Sequence, residues 1–366
     1  MNHRAGAPRT LYVNGRFLTQ PRTGVQRYAM ELLRQWDQML AEQEIDGAHN
    51  DIVVLTPSGS SGQQPFRNIK QLPVGHLQGN LWEQIDLPRF ASGQRLFNPC
   101  NSAPWIKRDG QMVTIHDASV FAVPEAYSLQ FRLKHRLLYG RLAATARPII
   151  TVSDFSKREL MRWCKIAADR IRIIYSGCEH ILSEPADPGI LDRLHLGGHR
   201  FVLAVGSNSV HKNLAAVLQL SDRLARQDIH LVIAGGTYAR VFRHVRYETP
   251  ANVHWAGFVT DPQLRALYER AAVFVYPSFY EGFGFPALEA MACGCAVVLS
   301  NAASLPELGG TSAIYCDPTD PRTLARGVDA ILENAALRSR LMTAGLERAK
   351  EFNWRKSARQ TWSALQ

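Results

Sequence analysis

Two successive series of short apolar runs, each run followed by a stretch of helical character, constrain this chain more than any other feature. The first series is TLYVN near 10, DIVVL near 51, QMVTI near 111, PIITV near 148 and IRIIY near 171. The pattern then starts again with FVLAV at 201, IHLVIAG near 229, VHWAG near 253, AVFVY near 272, AVVLS near 296 and AIYC near 313. Runs that are apolar on both faces and alternate with helices are strands of parallel sheets covered on both sides. Between the two series, from about 181 to 199, ILSEPADPGILDRLHLGGH carries prolines and glycines without a strand pattern, as a linker does. A length of 366 residues, 46% of them apolar, also exceeds what one core organises. The expectation is therefore an α/β protein of two Rossmann-like domains, residues 1–185 and 195–350, with a C-terminal helix over 351–366 lying back across the first. In such sheets ligands bind beyond the carboxyl ends of the strands, so the residues just after each run are the ones to search. Two sheet edges facing one another enclose a cleft that can hold two reactants and exclude water.

The stretch from Ala271 to Ser300, AAVFVYPSFYEGFGFPALEAMACGCAVVLS, reads as strand, glycine-rich loop, helix, strand. Pro286 fits the first turn of the helix and Gly294 the residue just past its end. Gly282 and Gly284 let the loop backbone approach a ligand, and the N–H groups and dipole at the helix start make a site for a diphosphate. Glu281 lies before the helix and Glu289 one turn inside it. Taken singly, Glu281 is a solvated loop carboxylate and Glu289 a partner of the helix dipole. Together, with the glycines, Pro286 and the apolar strand, they form a pair able to accept hydrogen bonds from ribose and sugar hydroxyls.

Other strand ends carry candidates of the same kind. In AVGSNSVHKNLAAVL a strand ends at Val205 and Lys212 sits at a helix entry. PRTGVQRYAMELLRQ places Thr23 as an N-cap, Gly24 at a helix start and Arg27 one turn in, which favours phosphate. MVTIHDASV delivers His116 and Asp117 at a carboxyl edge, and TVSDFSKREL places Ser153 at a strand exit and helix cap.

The motif EGFGFPALEAMACG, with seven residues between Glu281 and Glu289, resembles the E-x7-E signature of the retaining family 4 glycosyltransferases of the GT-B fold, and the resemblance extends along most of the chain. It implies that Glu289 binds the donor ribose and that Glu281 lies near the transferred sugar. It implies further that Gly282, Phe283 and the amides of Gly284, Phe285 and Ala287 line the donor; Pro286 has no N–H to give. The segment from Gly206 to Asn213 is similar to the family's VGxxxxxKN pattern, so Lys212 would neutralise the departing diphosphate. Ser207 stands where an arginine is common, with His211 where another basic residue is common, so phosphate stabilisation rests more on Lys212. AGFVTDPQL, with Gly257, Phe258 and Val259, resembles the base-binding turn, and TGVQRY a loop near phosphates and acceptor, which assigns Gly24 to the donor and Arg27 to the acceptor. His116 would bond the transferred sugar or the acceptor hydroxyl, Asp117 would hold its ring, and Ser153 would touch substrate.

From the residues alone both stereochemical courses stay open; the resemblance implies retention. It also implies a transfer of mannose or a deoxyhexose in surface polysaccharide assembly, with GDP-mannose the favoured donor, UDP- and dTDP-sugars as alternatives, and a glycan or lipid-linked acceptor. A nucleotide-sugar epimerase and a non-catalytic nucleotide-sugar-binding protein are the competing readings. A nicotinamide oxidoreductase is the weakest, because no G-x-G-x-x-G follows the first strand.

Charge and cysteine usage bear on partners and compartment. With 42 Lys and Arg against 32 Asp and Glu, the formal net charge of +10 suits a phosphorylated partner or an anionic membrane face; nucleic acid is not an expected partner. FRLKHRLLYGRLAATAR gathers Arg132, Lys134, His135, Arg136, Arg141 and Arg147, either a solvated face or a peripheral contact with an anionic inner leaflet. There is no run of 18 apolar residues, and MNHRAGAPRT lacks the apolar stretch of a secretory signal, so a cytoplasmic location is expected. The six cysteines form no CxxC pair and no zinc-type pattern with histidine, and no DxD occurs. Buried free thiols, no metal site and no cofactor beyond the sugar donor are expected.

Overall fold

A computed structural model describes residues 9–59, 65–107, 109–207, 209–236 and 250–366. It holds two sheets whose strand pairs are all parallel. The first has seven strands: β1 (Arg9–Asn14), β2 (Asn50–Pro57), β3 (Lys70–Val74), β4 (Arg95–Asn98), β5 (Gln111–Thr114), β6 (Ile149–Thr151) and β7 (Ile171–Ile173), in the order β3-β2-β1-β4-β5-β6-β7. The second has six: β8 (Arg200–Val205), β9 (Ile229–Ala234), β10 (Val253–Gly257), β11 (Val273–Tyr276), β12 (Val297–Ser300) and β13 (Ile314–Cys316), in the order β10-β9-β8-β11-β12-β13. The α/β class and the pair of Rossmann-like sheets agree with the sequence reading.

Two strands of the first sheet carry no signal of the kind read above. β3 is an edge strand of sequence KQLPV with mostly exposed side chains, and an edge is where a parallel ladder tolerates Pro73. β4, RLFN, has four residues and none that is β-branched. The linker is not structureless either: it forms a short helix, Gly189–Arg193, that sinks Ile190 and Leu194 into the core.

Strand order fixes where a ligand can sit. In each sheet the chain turns outward in both directions from one point, between β1 and β4 in the first and between β8 and β11 in the second, and a crevice opens there beyond the strand ends. The largest apolar cluster runs without a break from Leu11 and Val13 through Phe201 and Leu203 to Trp354 and Leu365, so the two sheets share a core. The helix Trp354–Leu365 packs on the long helix Gly24–Ala41: Trp36 donates its indole N–H to Ala358 O at 3.0 Å and lies edge-on to Trp362 at 5.6 Å.

Candidate functional site

At the crevice of the second sheet, β8 is followed by Gly206 and a tight turn, Val210–Lys212, and β11 by the glycine-rich loop. Asn213, in a left-handed conformation at φ 56°, donates to Pro277 O at 3.1 Å and to Pro318 O at 2.8 Å, which fixes the turn against the loop. The turn aims Lys212 across the crevice, where Nζ donates to Glu281 Oε1 at 2.7 Å and to the Tyr276 hydroxyl at 2.8 Å. Burial pushes the Glu281 carboxyl up, but Lys212 foremost, with His211 and hydrogen bonds, outweighs it and holds the group below the ordinary value. Burial, with the charge on Lys212, pushes His211 down to about 4. The site thus keeps an ionised Glu281 against Lys212, with a neutral imidazole beside them. Sequence reasoning did not single out Tyr276, a strand-end tyrosine that burial and the charges of Glu281 and Glu289 push well above its usual value.

Gly282 and Gly284 are hemmed in by the protein itself. A Cβ on Gly282 would lie 2.7 Å from Asp117 Cβ and 2.8 Å from His116 O; one on Gly284 would lie 2.7 Å from Leu305 Cδ2. Both glycines admit protein neighbours, and Gly284 also supplies the φ of 116° before the helix Phe285–Ala292. Pro286 sits in the first turn of that helix, and Gly294, at φ 71°, follows its end. Phe283 is buried against Phe285 and Phe352, at centroid distances of 5.1 and 6.2 Å, so its side chain belongs to the core rather than to a donor surface. The Ala287 amide is spent on Gly284 O at 3.0 Å inside the first turn. Phe285 stacks on Trp354 at 5.9 Å.

Glu289 is 5% exposed and already has two partners. Its Oε1 faces His180 Nε2 at 2.9 Å, and its Oε2 accepts from the Tyr268 hydroxyl at 3.2 Å. Trp354 donates its indole N–H to His180 Nδ1 at 3.0 Å, which leaves Nε2 as the protonated nitrogen that donates to Glu289. A carboxylate has about four acceptor positions, so two donors from the protein orient Glu289 and leave capacity for hydroxyls.

The ends of β8, β9 and β10 are lined by glycine. Gly235, at φ 136°, lies so close to Gly206 that a Cβ there would meet Gly206 O at 2.1 Å. Gly257 has φ 64°, and its carbonyl accepts from Gly235 N at 2.8 Å. Phe258 stands 69% exposed beyond this floor, while Val259 packs partly on the core. Ser207 follows Gly206 at the same edge and is partly exposed.

From the first sheet, His116 is buried beyond β5. Its Nε2–H donates to Pro99 O at 3.0 Å and its ring meets Tyr28 edge-on at 4.7 Å. Burial pushes it down to about 4, so it is a neutral imidazole near neutral pH. Pro99, not Asp117, holds the ring. Asp117 Oδ1 accepts instead from Ser119 N at 2.8 Å. Burial foremost, with the Glu281 charge also contributing, pushes the Asp117 carboxyl up.

Two expected acceptor residues join the domains together. Arg27 makes a two-pronged ion pair with Asp261, at 2.7 and 2.5 Å, across the junction. Ser153 Oγ donates to Gly282 O at 2.5 Å, and Ser156 Oγ to the same carbonyl at 2.9 Å. Glu307 accepts from Asp154 N at 2.7 Å and Phe155 N at 3.2 Å, so the helix start at Asp154 is occupied by the other domain. The start at Gly24 abuts Phe285, whose ring would lie 3.2 Å from a Cβ on Gly24. Two helix N-termini, those at Gly24 and Phe285, therefore meet at the cleft and add positive potential there. The structure brings Gly24, His116, Asp117, Glu281, Gly282 and Lys212 to one junction, while Arg27 and Ser153 bond to the other domain, Phe283 packs on Phe285, and the Ala287 amide bonds to Gly284 O. His180, Tyr268, Asp261 and Glu307 carried no local signal in sequence.

Among the described residues no helix is long and apolar enough to cross a membrane. The basic helix, Leu129–Thr145, buries Leu138, Tyr139 and Leu142, yet Leu129, Leu133 and Leu137 stand 65%, 53% and 62% exposed on the other side.

Comparison with known proteins adds the following. The sequence profile of the family described as Glycosyl transferases group 1 matches residues 192–348. The chain is 30% identical, over 94% of its length and 96% of the relative's, to the O-antigen chain mannosyltransferase B of Escherichia coli. Its fold matches sucrose-phosphate synthase from Thermosynechococcus elongatus with a TM-score of 0.73 at 19% identity, over 98% of both chains. It also matches HepE of Anabaena, solved with UDP and glucose, with a TM-score of 0.71 at 16% identity, over 98% of this chain and 99% of the other.

Proposed function

The chain belongs to the group 1 glycosyl transferases, and from that membership we propose that it transfers mannose, or a related deoxyhexose, from a GDP-sugar to a glycan or lipid-linked acceptor in surface polysaccharide synthesis. The mannosyl assignment is supported by the name of the Escherichia coli relative, which aligns over nearly all of both chains. UDP- and dTDP-sugars are the alternative donors.

The observation that carries the reading is the position of Lys212 Nζ between Glu281 and Tyr276 at the β8/β11 crevice. A leaving diphosphate gains negative charge as the glycosidic bond breaks, and a fixed ammonium with two helix N-termini can stabilise it without a metal. Glu281, kept ionised by that lysine, would orient the hydroxyls of the transferred sugar, and Glu289, held by His180 and Tyr268, those of the ribose. His116, neutral and held by Pro99, would bond the acceptor or sugar. The resemblance to the retaining transferases favours transfer with retention, the departing phosphate taking the acceptor's proton.

Incubation with GDP-mannose and a mannosylated acceptor tests this by mass spectrometry of the products. Transfer is expected to persist in excess EDTA and to give the α-anomer. Loss of transfer in EDTA, or inversion, overturns the corresponding part. Interconversion of the donor without acceptor would instead mark an epimerase.

The exposed leucines of the Leu129–Thr145 helix lie among Arg132, Lys134 and Arg136, a combination suited to resting on an anionic bilayer. We place the protein on the inner face of the cytoplasmic membrane, where a lipid-linked acceptor would be within reach.

A further inference from the structure

At the edge of the second sheet opposite the crevice, residues from separate segments gather around His230. The β8/β9 ladder pairs Arg200 with Ile229 and Phe201 with His230, which brings His199 level with Asp228. Alternate residues of a strand share a face, so His199 and His230 lie on the same side. The β9/β10 ladder pairs Val232 with His254 and puts His254 on that side too. One ligand atom from each of His199, Asp228 and His230 falls within 4.8 Å of the others. The His199 and His230 rings are 4.5 Å apart, and His230 Nδ1 lies 2.7 Å from His254 Nε2.

We propose that His199, Asp228 and His230 form a binding site for a divalent transition metal, zinc foremost, with His254 as the group that orients His230. Two imidazoles and a carboxylate are ligands for zinc and its neighbours in the first transition row, whereas magnesium and calcium take oxygen. Metal-bound histidines keep their other ring nitrogen in a hydrogen bond that fixes the tautomer. Here His230 Nδ1 lies within hydrogen-bond distance of His254 Nε2, and the tautomer of His230 protonated at Nδ1 would keep the lone pair of Nε2 for the metal. Tetrahedral zinc with bonds of about 2.0 to 2.1 Å needs ligand atoms roughly 3.3 Å apart, so the cluster closes by at most about 1.5 Å on binding. The exposure of His199 and Asp228 permits that movement and leaves a path of entry.

The site lies near the start of β8, about 20 Å from the strand's far end at the crevice, so the ion fastens the linker to the sheet and takes no part in transfer. No zinc spacing is visible in the sequence because the ligands come from two segments and their support from a third.

Equilibrium dialysis of the untagged full chain against zinc sulfate, read by elemental analysis, tests the proposal. One zinc per chain is expected, with a rise in thermal midpoint, and none with magnesium. The double variant His199→Ala/His230→Ala should lose at least ~100-fold in affinity, and His254→Ala ~10- to 100-fold. Both replace side chains at the sheet rim, and an unchanged far-UV dichroism of the metal-free variants shows that they are folded. Zinc uptake by the double variant equal to that of the wild type, or no uptake by the wild type, overturns the proposal.

Discussion

Lys212 serves two needs at once, and removing it should separate them. Without its ammonium, Glu281 keeps the burial that raises its carboxyl and loses the principal partner that lowers it. Lys212→Ala is therefore expected to cut kcat by ~10²- to 10³-fold, a loss of the size found when one preorganised charge-stabilising donor is removed. It should also move the acid limb of the pH–rate profile upward. An unchanged limb would mean that Glu281 does not depend on Lys212. His116 and His211 give a second test. Each is held down to about 4 in the folded protein, below an unfolded value near 6.5. Such a group contributes stability that is complete above about 6.5 and is lost as pH falls toward 4, because the unfolded chain binds the proton first. Urea titrations should lose on the order of 2 to 3 kcal/mol per histidine across that window. His116→Gln should flatten the slope; an identical slope would remove His116 as its source.

At the scale of elements, the last helix reaches the crevice through one side chain. Trp354 donates to His180, and His180 to Glu289, so a tilt of that helix changes how the Glu289 carboxylate is held. His180→Ala should raise KM for the donor about tenfold with a smaller effect on kcat, and His180→Gln, which keeps a donor, should recover part of it. Equal losses in KM and kcat for both variants would point to misfolding instead. This chain of contacts also shows why the sequence was legible only in part. The inner strands of the second sheet, β8, β9, β11 and β12, are largely buried on both faces and so read as apolar runs, and the E-x7-E loop is local in sequence. The His180–Glu289 and Arg27–Asp261 contacts join residues 109 and 234 positions apart, and nothing near either partner signals them. Ser153 reads correctly as the cap of the helix Asp154–Cys164, but nothing near it signals its bond to Gly282 O, 129 positions away.

For the whole molecule, the exposed face of the Leu129–Thr145 helix predicts behaviour at a membrane. Charge reversal at Arg132, Arg136 and Arg141 should weaken sedimentation with vesicles containing anionic lipid by about 1 kcal/mol for each charge near the surface. Leu133→Ser with Leu137→Ser should weaken it further at high salt, where the apolar contact carries the binding. Binding unaffected by either set would leave this face simply solvated.

The indole of Trp36 waits for a partner 322 residues downstream, Ala358. At roughly 5 to 20 residues per second of synthesis, that partner emerges about 16 to 64 s later. Until then the face of the long helix that Ala358 and Trp362 come to cover lacks its last layer.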